Sequence, residues 1–224
     1  MSDEEPGTGE SSSQSDIESE LADWLPNPGD RLFLASPTGA RLDPLGLTPY
    51  GEPRRTTGRW QLYADGFLAA ADRLVESLKG LPWEDELIYP VLAHYRHHLE
   101  LQLKYVLFCC PGCTHELRQW LARKHSLREL WEKVKEVYPR FSEWASAECT
   151  EACQKLIEDF NQHDPTSQAS RYPVDTKGKP TLPELEVIDL QAVKRAVHKV
   201  SHYLGTIIEQ IGQDREWQAE MGSW

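Results

Sequence analysis

No apolar run in this chain approaches the roughly 18–20 residues that a membrane-spanning helix needs. The N-terminus does not join basic residues to an apolar stretch, so no secretory signal is expected there. Cysteine is scarce and odd in number, at five residues. That is too few for a disulfide scaffold, and it points to a cytoplasmic protein. Catalytic signatures are missing as well. There is no Gly-rich phosphate loop, no H-E-x-x-H, no G-x-S-x-G and no dinucleotide fingerprint. No conventional enzyme class is announced by motif.

Basic residues are absent from the first thirty positions. The whole chain holds 24 basic and 36 acidic residues, a formal net charge of -12, which taken alone argues against a phosphate-backbone binder. Nine of the acids lie in residues 1–30, and removing them leaves 27 acidic against the 24 basic residues. The remainder is near neutral, so RNA stays open as a ligand. The Ser/Glu/Gly-rich composition of residues 1–30 predicts a disordered acidic tail. Residues 31–58 are rich in Pro and Gly and predict an irregular arm, with one short strand at "RLFLAS".

Beyond Gly58 the apolar period is helical. Trp60, Tyr63, Phe67, Leu74 and Leu78 mark a helix over about 59–79. Ile88, Leu92, Tyr95, Leu99, Leu103 and Val106 mark a second over about 85–108. A short helix follows "CCPGC" at about 114–123. Ser126 and Glu129 form a capping box that opens a helix to about Tyr138, and another covers about 142–160. Asp189 is the N-cap of a last helix, 190–213, whose apolar set keeps a three-and-four alternation for three heptads. That is a bundle seam, which could also serve a partner helix. The fold class is all-α: a four- to five-helix bundle over 59–213, with residues 214–224 as a C-terminal tail.

Between the last two helices stands "NQHDPTSQASRYPVDTKGKP", a long connection rich in turn residues. Pro173 excludes helix, and "YPVDTKGKPTL" predicts a small β-hairpin turning at Lys177-Gly178, inserted before the last long helix. Tyr172 and Val174 are expected to pack on the bundle, making the hairpin a clasp or the wall of a ligand site.

Four polar sets are candidates for function. On the second helix Arg96 and Glu100 fall about 60° and 100° from the apolar line, with Lys104 further round. They read as rim ion pairs, or as a recognition site in which the Arg96 fork takes a phosphate or carboxylate. Asp164, Arg171, Tyr172 and Asp175 of the hairpin are the groups that would meet them. His94, His97 and His98 lie on other faces and read as solvated. On the last helix Arg195 and His202, seven apart, share a face nearly opposite the seam, with His198 close by. Arg118 and His125 have the same spacing but straddle the capping box and are discounted. Cys110 and Cys113 form a C-x-x-C that Cys149 and Cys153 would complete as a zinc site, although buried free thiols are the preferred reading and no cofactor is expected.

The order of these pieces resembles a known group. "YRHHLELQLKYVL", then "HSLRELWEKV", then "DPTSQASRYPVDTKGKPTL", then a heptad helix, is similar to prokaryotic helical families related to HEPN domains, over about Leu87 to Ile211. The resemblance implies a small, dimeric helical bundle of a toxin–antitoxin or phage-defence system. It also implies one of two activities: a metal-independent RNase using an Arg and a His separated by four to six residues, or a member that has lost the motif and serves as a binding module. Arg195 and His202 match that spacing across a dimer cleft, but Ala196 stands where the family commonly has a polar residue. The expected function is therefore a non-catalytic interaction module with a homodimeric or other protein partner, and the RNase is the alternative.

Overall fold

The computed structural model describes residues 56–78, 85–111, 113–143, 145–182 and 187–221. The acidic tail and nearly all of the Pro/Gly-rich arm, including "RLFLAS", lie outside the described residues. Among the described residues there are six helices: α1 Thr56–Ser77, α2 Ile88–Cys109, α3 His115–Arg123, α4 Leu127–Val137, α5 Ala147–His163 and α6 Leu190–Met221. The all-α expectation holds. Short 3-10 turns occupy Asp85–Leu87 and Pro139–Glu143.

α2 is the central element. It packs against α1, α4 and α6, while α5 lies on α4 and α6. Its buried residues run all round the helix and include Val91, Tyr95, Leu99, Leu103, Val106 and Leu107. α4 adds Leu127, Leu130, Trp131 and Val134 to the same core, and α5 adds Cys153 and Ile157. From α6 come Val197, Val200, Leu204, Ile207 and Ile211, so the predicted seam is spent inside this bundle. It is therefore not available to a partner helix.

Local chemistry sets the helix starts. Thr114 Oγ1 accepts from Leu117 N at 3.2 Å and Ser126 Oγ from Glu129 N at 3.3 Å. Asp189 Oδ1 accepts from Ala192 N at 3.0 Å, which places the start of α6 as predicted. Only half of the expected capping box forms, because the Glu129 carboxylate pairs with Lys124 Nζ at 2.5 Å. α5 starts later than the pattern suggests. Ser146 is its cap, with Oγ accepting from Cys149 N at 3.1 Å, and Ser142 sits in the preceding 3-10 turn.

The last helix runs past Gln213 to Met221, through residues assigned to a tail. The reason is a tertiary tie: Tyr138 Oη donates to Asp214 Oδ2 at 2.6 Å, and Arg140 Nη1 lies 3.3 Å from the same oxygen.

The β-hairpin does not form as a strand pair. Among the described residues the segment shows one isolated antiparallel bridge, Val174 to Pro180, and no strand. Pro173 and Pro180 carry no N–H and cannot extend a ladder. Tyr172 and Val174 do not pack on the bundle either, being 57 % and 47 % exposed. The turn itself is well made. Asp175 Oδ1 accepts from Lys177 N and Lys179 N at 2.8 and 2.9 Å, and Gly178 takes φ +74°, which glycine adopts without strain.

Leu103 is fully buried and Trp217 is 60 % exposed. Leu103→Ala should cost about 2–5 kcal/mol in urea unfolding, and Trp217→Ala should stay within about 0.5 kcal/mol.

Candidate functional site

The most unusual feature is a set of charges inside the bundle. Arg96, Glu100 and Lys104 are 0 %, 1 % and 5 % exposed, so they are core residues and not the rim residues the helical wheel suggests. Their spacing along α2 stacks them on consecutive turns. Glu100 Oε2 lies 3.0 Å from Arg96 Nη1, and Glu100 Oε1 lies 2.8 Å from Lys104 Nζ. His125 Nδ1 reaches Glu100 Oε1 at 2.9 Å from the α3–α4 junction. Arg96 spends its other donors on backbone: Nε donates to the Asp164 carbonyl at 3.0 Å, and Nη2 donates to the His125 carbonyl.

Burial pushes the Glu100 carboxyl up, but Lys104, Arg96 and His125 outweigh it and hold the group below the ordinary carboxylate range. Burial lowers the Arg96 guanidinium, against the pull of Glu100 and Asp164. The carboxylate takes hydrogen bonds from three bases, and each of the three guanidinium nitrogens donates to an acceptor within the protein, so the set is engaged internally.

Asp164 joins the set as expected, but through its carbonyl. Its carboxylate gathers the following loop: Oδ1 accepts from Gln168 N at 2.8 Å and Ala169 N at 3.0 Å, and Oδ2 accepts from Ser170 N at 3.3 Å and Ser170 Oγ at 2.8 Å. Ser167 takes φ +63° inside this loop. Arg171 Nε donates to the Ser167 carbonyl, and the guanidinium lies 6.0 Å from the Tyr172 ring centre. Neither Arg171 nor Asp175 reaches Arg96 or Glu100. The segment is a clasp at Asp164 and open to solvent beyond Ser170.

The α6 candidates separate. Arg195 and His202 are both exposed, and the side-chain partner of Arg195 is the equally exposed Asp189, at 3.8 Å. His198 Nε2 lies 2.9 Å from Asp72 Oδ2, and Lys194 Nζ donates to Glu76 Oε1 at 2.9 Å, tying α6 to α1. Tyr95 Oη donates to Asp72 Oδ1 at 2.8 Å from α2. The zinc set is not brought together: among the described residues no three Cys, His, Asp or Glu side chains group to hold a metal. Cys110 and Cys153 are buried thiols pushed up to about 12 by burial, Cys113 is partly buried and Cys149 is exposed.

The three α2 histidines are not solvated. His98 is fully buried, with Nδ1 donating to the Ala64 carbonyl at 2.8 Å. His94 and His97 are half-buried around Phe67, whose ring meets His97 edge-on at 4.4 Å. They line a cavity of about 510 Å³ between α1, the start of α2 and the Asp164 loop, together with Tyr89, Ser167 and Arg171. Burial lowers the His97 imidazole, with Lys104, Arg96 and Arg171 adding to it against Glu100. A second, more apolar cavity of about 310 Å³ lies on the other side of Ser170, lined by Leu92, Phe160, Val193 and Val197. Sequence reasoning missed both His125 and this histidine wall. Their i,i+3 spacing was visible, but the α1 face that covers them was not.

Glu100→Gln should cost about 3–5 kcal/mol, since it strands two buried cations. Because folding lowers the Glu100 pKa, its contribution is present above the ordinary carboxylate range and lost as pH falls through the folded value. Urea unfolding between pH 7 and 3 should show that acid-side loss in the wild type and a smaller one in the variant. Asp164→Ala should cost about 1–3 kcal/mol and speed amide exchange at residues 168–170.

Compared with family models, with curated proteins and with solved structures, the chain matches none.

Proposed function

We propose that this chain is a non-catalytic, HEPN-like helical interaction module of the kind that serves prokaryotic defence or toxin–antitoxin systems. The observation that supports it most is that the cations and imidazoles around the candidate nuclease pair are engaged in helix contacts, while Arg195 and His202 themselves lie exposed. His198 and Lys194 hold α6 to Asp72 and Glu76 of α1. Arg195 lies 3.8 Å from the exposed Asp189 carboxylate of its own helix cap, a solvent-screened surface pair. Arg96 donates from all three of its nitrogens, to Glu100 and two carbonyls. What remains for a partner are outward faces, including Trp217 and Met221, one turn apart on α6 and each 60 % exposed. A second copy of the chain, meeting it through bundle helices, is the partner that the resemblance implies.

The competing reading is a metal-independent endoribonuclease using Arg195 and His202, and it needs a second copy to enclose two exposed groups. Expression of wild type and His202→Ala separates the two. The module should leave growth and cellular RNA unchanged in both, and the purified protein should leave RNA intact. RNA cut by the wild type and spared by His202→Ala would replace this reading with the nuclease.

A further inference from the structure

The cavity between α1, α2 and the Asp164 loop has an unusual polar lining. Its polar side chains are His94, His97, Ser167, Ser170 and Arg171, with no carboxylate among them. Two acids lie nearby, and both are occupied. Glu100 is neutralised by Arg96 and Lys104, and the Asp164 carboxylate is filled by three loop amides and the Ser170 hydroxyl. The cavity is thus left with positive potential and hydrogen-bond donors.

Those donors are free to act on a guest. Arg171 uses Nε on the Ser167 carbonyl, which fixes the side chain and leaves its two terminal nitrogens without an acid partner among the described residues. His94 Nδ1 donates to the Pro90 carbonyl at 2.5 Å, which orients the ring and leaves Nε2 as an acceptor, so His94 lines the wall without donating to an anion. His97 is half-buried, and neither ring nitrogen has a hydrogen-bond partner among the described residues. Its ring is held edge-on against Phe67 at 4.4 Å. The Ser167 hydroxyl adds a further donor at the same wall. A half-buried imidazole with no hydrogen-bond partner, beside the uncompensated Arg171 guanidinium, gains an acceptor when an anion enters.

The rest of the wall is apolar and flat. Phe67, Tyr89, Pro90 and Ala93 line it, and Tyr89 is 55 % exposed at its mouth. A volume of about 510 Å³ exceeds what a bare inorganic anion fills and falls within the range of small-molecule sites.

We infer that this cavity is a binding site for a small organic anion: a carboxylate or phosphate head held by Arg171, His97 and Ser167, on a flat apolar body packed against Phe67 and Tyr89. Arg171 supplies the bidentate contact and the His97 N–H completes the cradle. The clasp at Asp164 carries the site, because it sets the loop that presents Ser167 and Arg171. This inference stands apart from the module reading, since it uses none of the α6 residues.

The test is calorimetric titration of the full chain with phenyl phosphate, benzoate, phenol and inorganic phosphate at low salt. At least one of the two aryl anions should bind at roughly millimolar or tighter, as their size allows. The tighter of the two identifies the head group. Phenol and inorganic phosphate, which each lack one half of the ligand, should bind roughly tenfold more weakly. Arg171→Ala and His97→Phe should each weaken the aryl anion about tenfold or more, while Arg123→Ala, which removes an exposed charge from α3, should not. Thermal unfolding of each variant establishes that the fold is kept. Arg171 is exposed, so its variant retains the bundle even if His97→Phe does not. Absence of saturation by both aryl anions up to about ten millimolar would overturn the inference. So would equal affinity for inorganic phosphate, or an affinity that Arg171→Ala leaves unchanged.

Discussion

The bundle is organised around one buried carboxylate. Glu100 sits in the middle of α2 with a cation one turn to either side, and it draws in His125 from the α3–α4 junction. Through Arg96 the same set reaches the carbonyls of His125 and Asp164, and so the end of α5. Burying such charges is costly, and the cost is met only when every donor and acceptor finds a partner in good geometry. That condition fixes the relative placement of α2, the α3–α4 junction and the α5 end more sharply than apolar packing would, since leucines tolerate small slips and a guanidinium bonded through all three nitrogens does not.

A second polar pin repeats the pattern nearer the surface. Asp72 of α1 receives Tyr95 from α2 and meets His198 and Lys194 from α6. Where Glu100 joins α2 to one side of the bundle, Asp72 joins it to the other. Both use a carboxylate as the hub, because one carboxylate accepts several donors at once. Arg96, Lys104, His198 and Lys194 are engaged in these contacts, whereas Arg195 and His202 stay exposed on α6.

The loop after α5 links that architecture to the cavity. Asp164 faces both ways, with its carbonyl on Arg96 and its carboxylate on the loop amides. A core ion pair therefore positions Ser167 and Arg171 at the mouth of a basic cavity. Rigid support of this kind lets exposed donors meet a ligand without first being ordered.

Much of the fold was legible in the letters. Apolar spacing located six helical segments to within a few residues, and Ser126 and Asp189 marked helix starts because a capping hydroxyl or carboxylate acts within one turn. Aliphatic positions such as Leu99, Leu103, Leu204 and Ile207 declared their burial through period alone. The candidate site was less legible. Arg96 and Glu100 were found but placed at the rim, because a helical wheel measures angle from the apolar line and does not know that α1, α4 and α6 surround α2. His97 and His98 were read as solvated for the same reason, and Tyr172 and Val174 as packed because their composition is apolar. Local sequence determined where helices begin and which stripe of each is apolar, since these depend on neighbours within a turn. Tertiary structure alone decided which charges are buried, which cysteines stay apart and where α6 ends, since each rests on partners dozens of residues away.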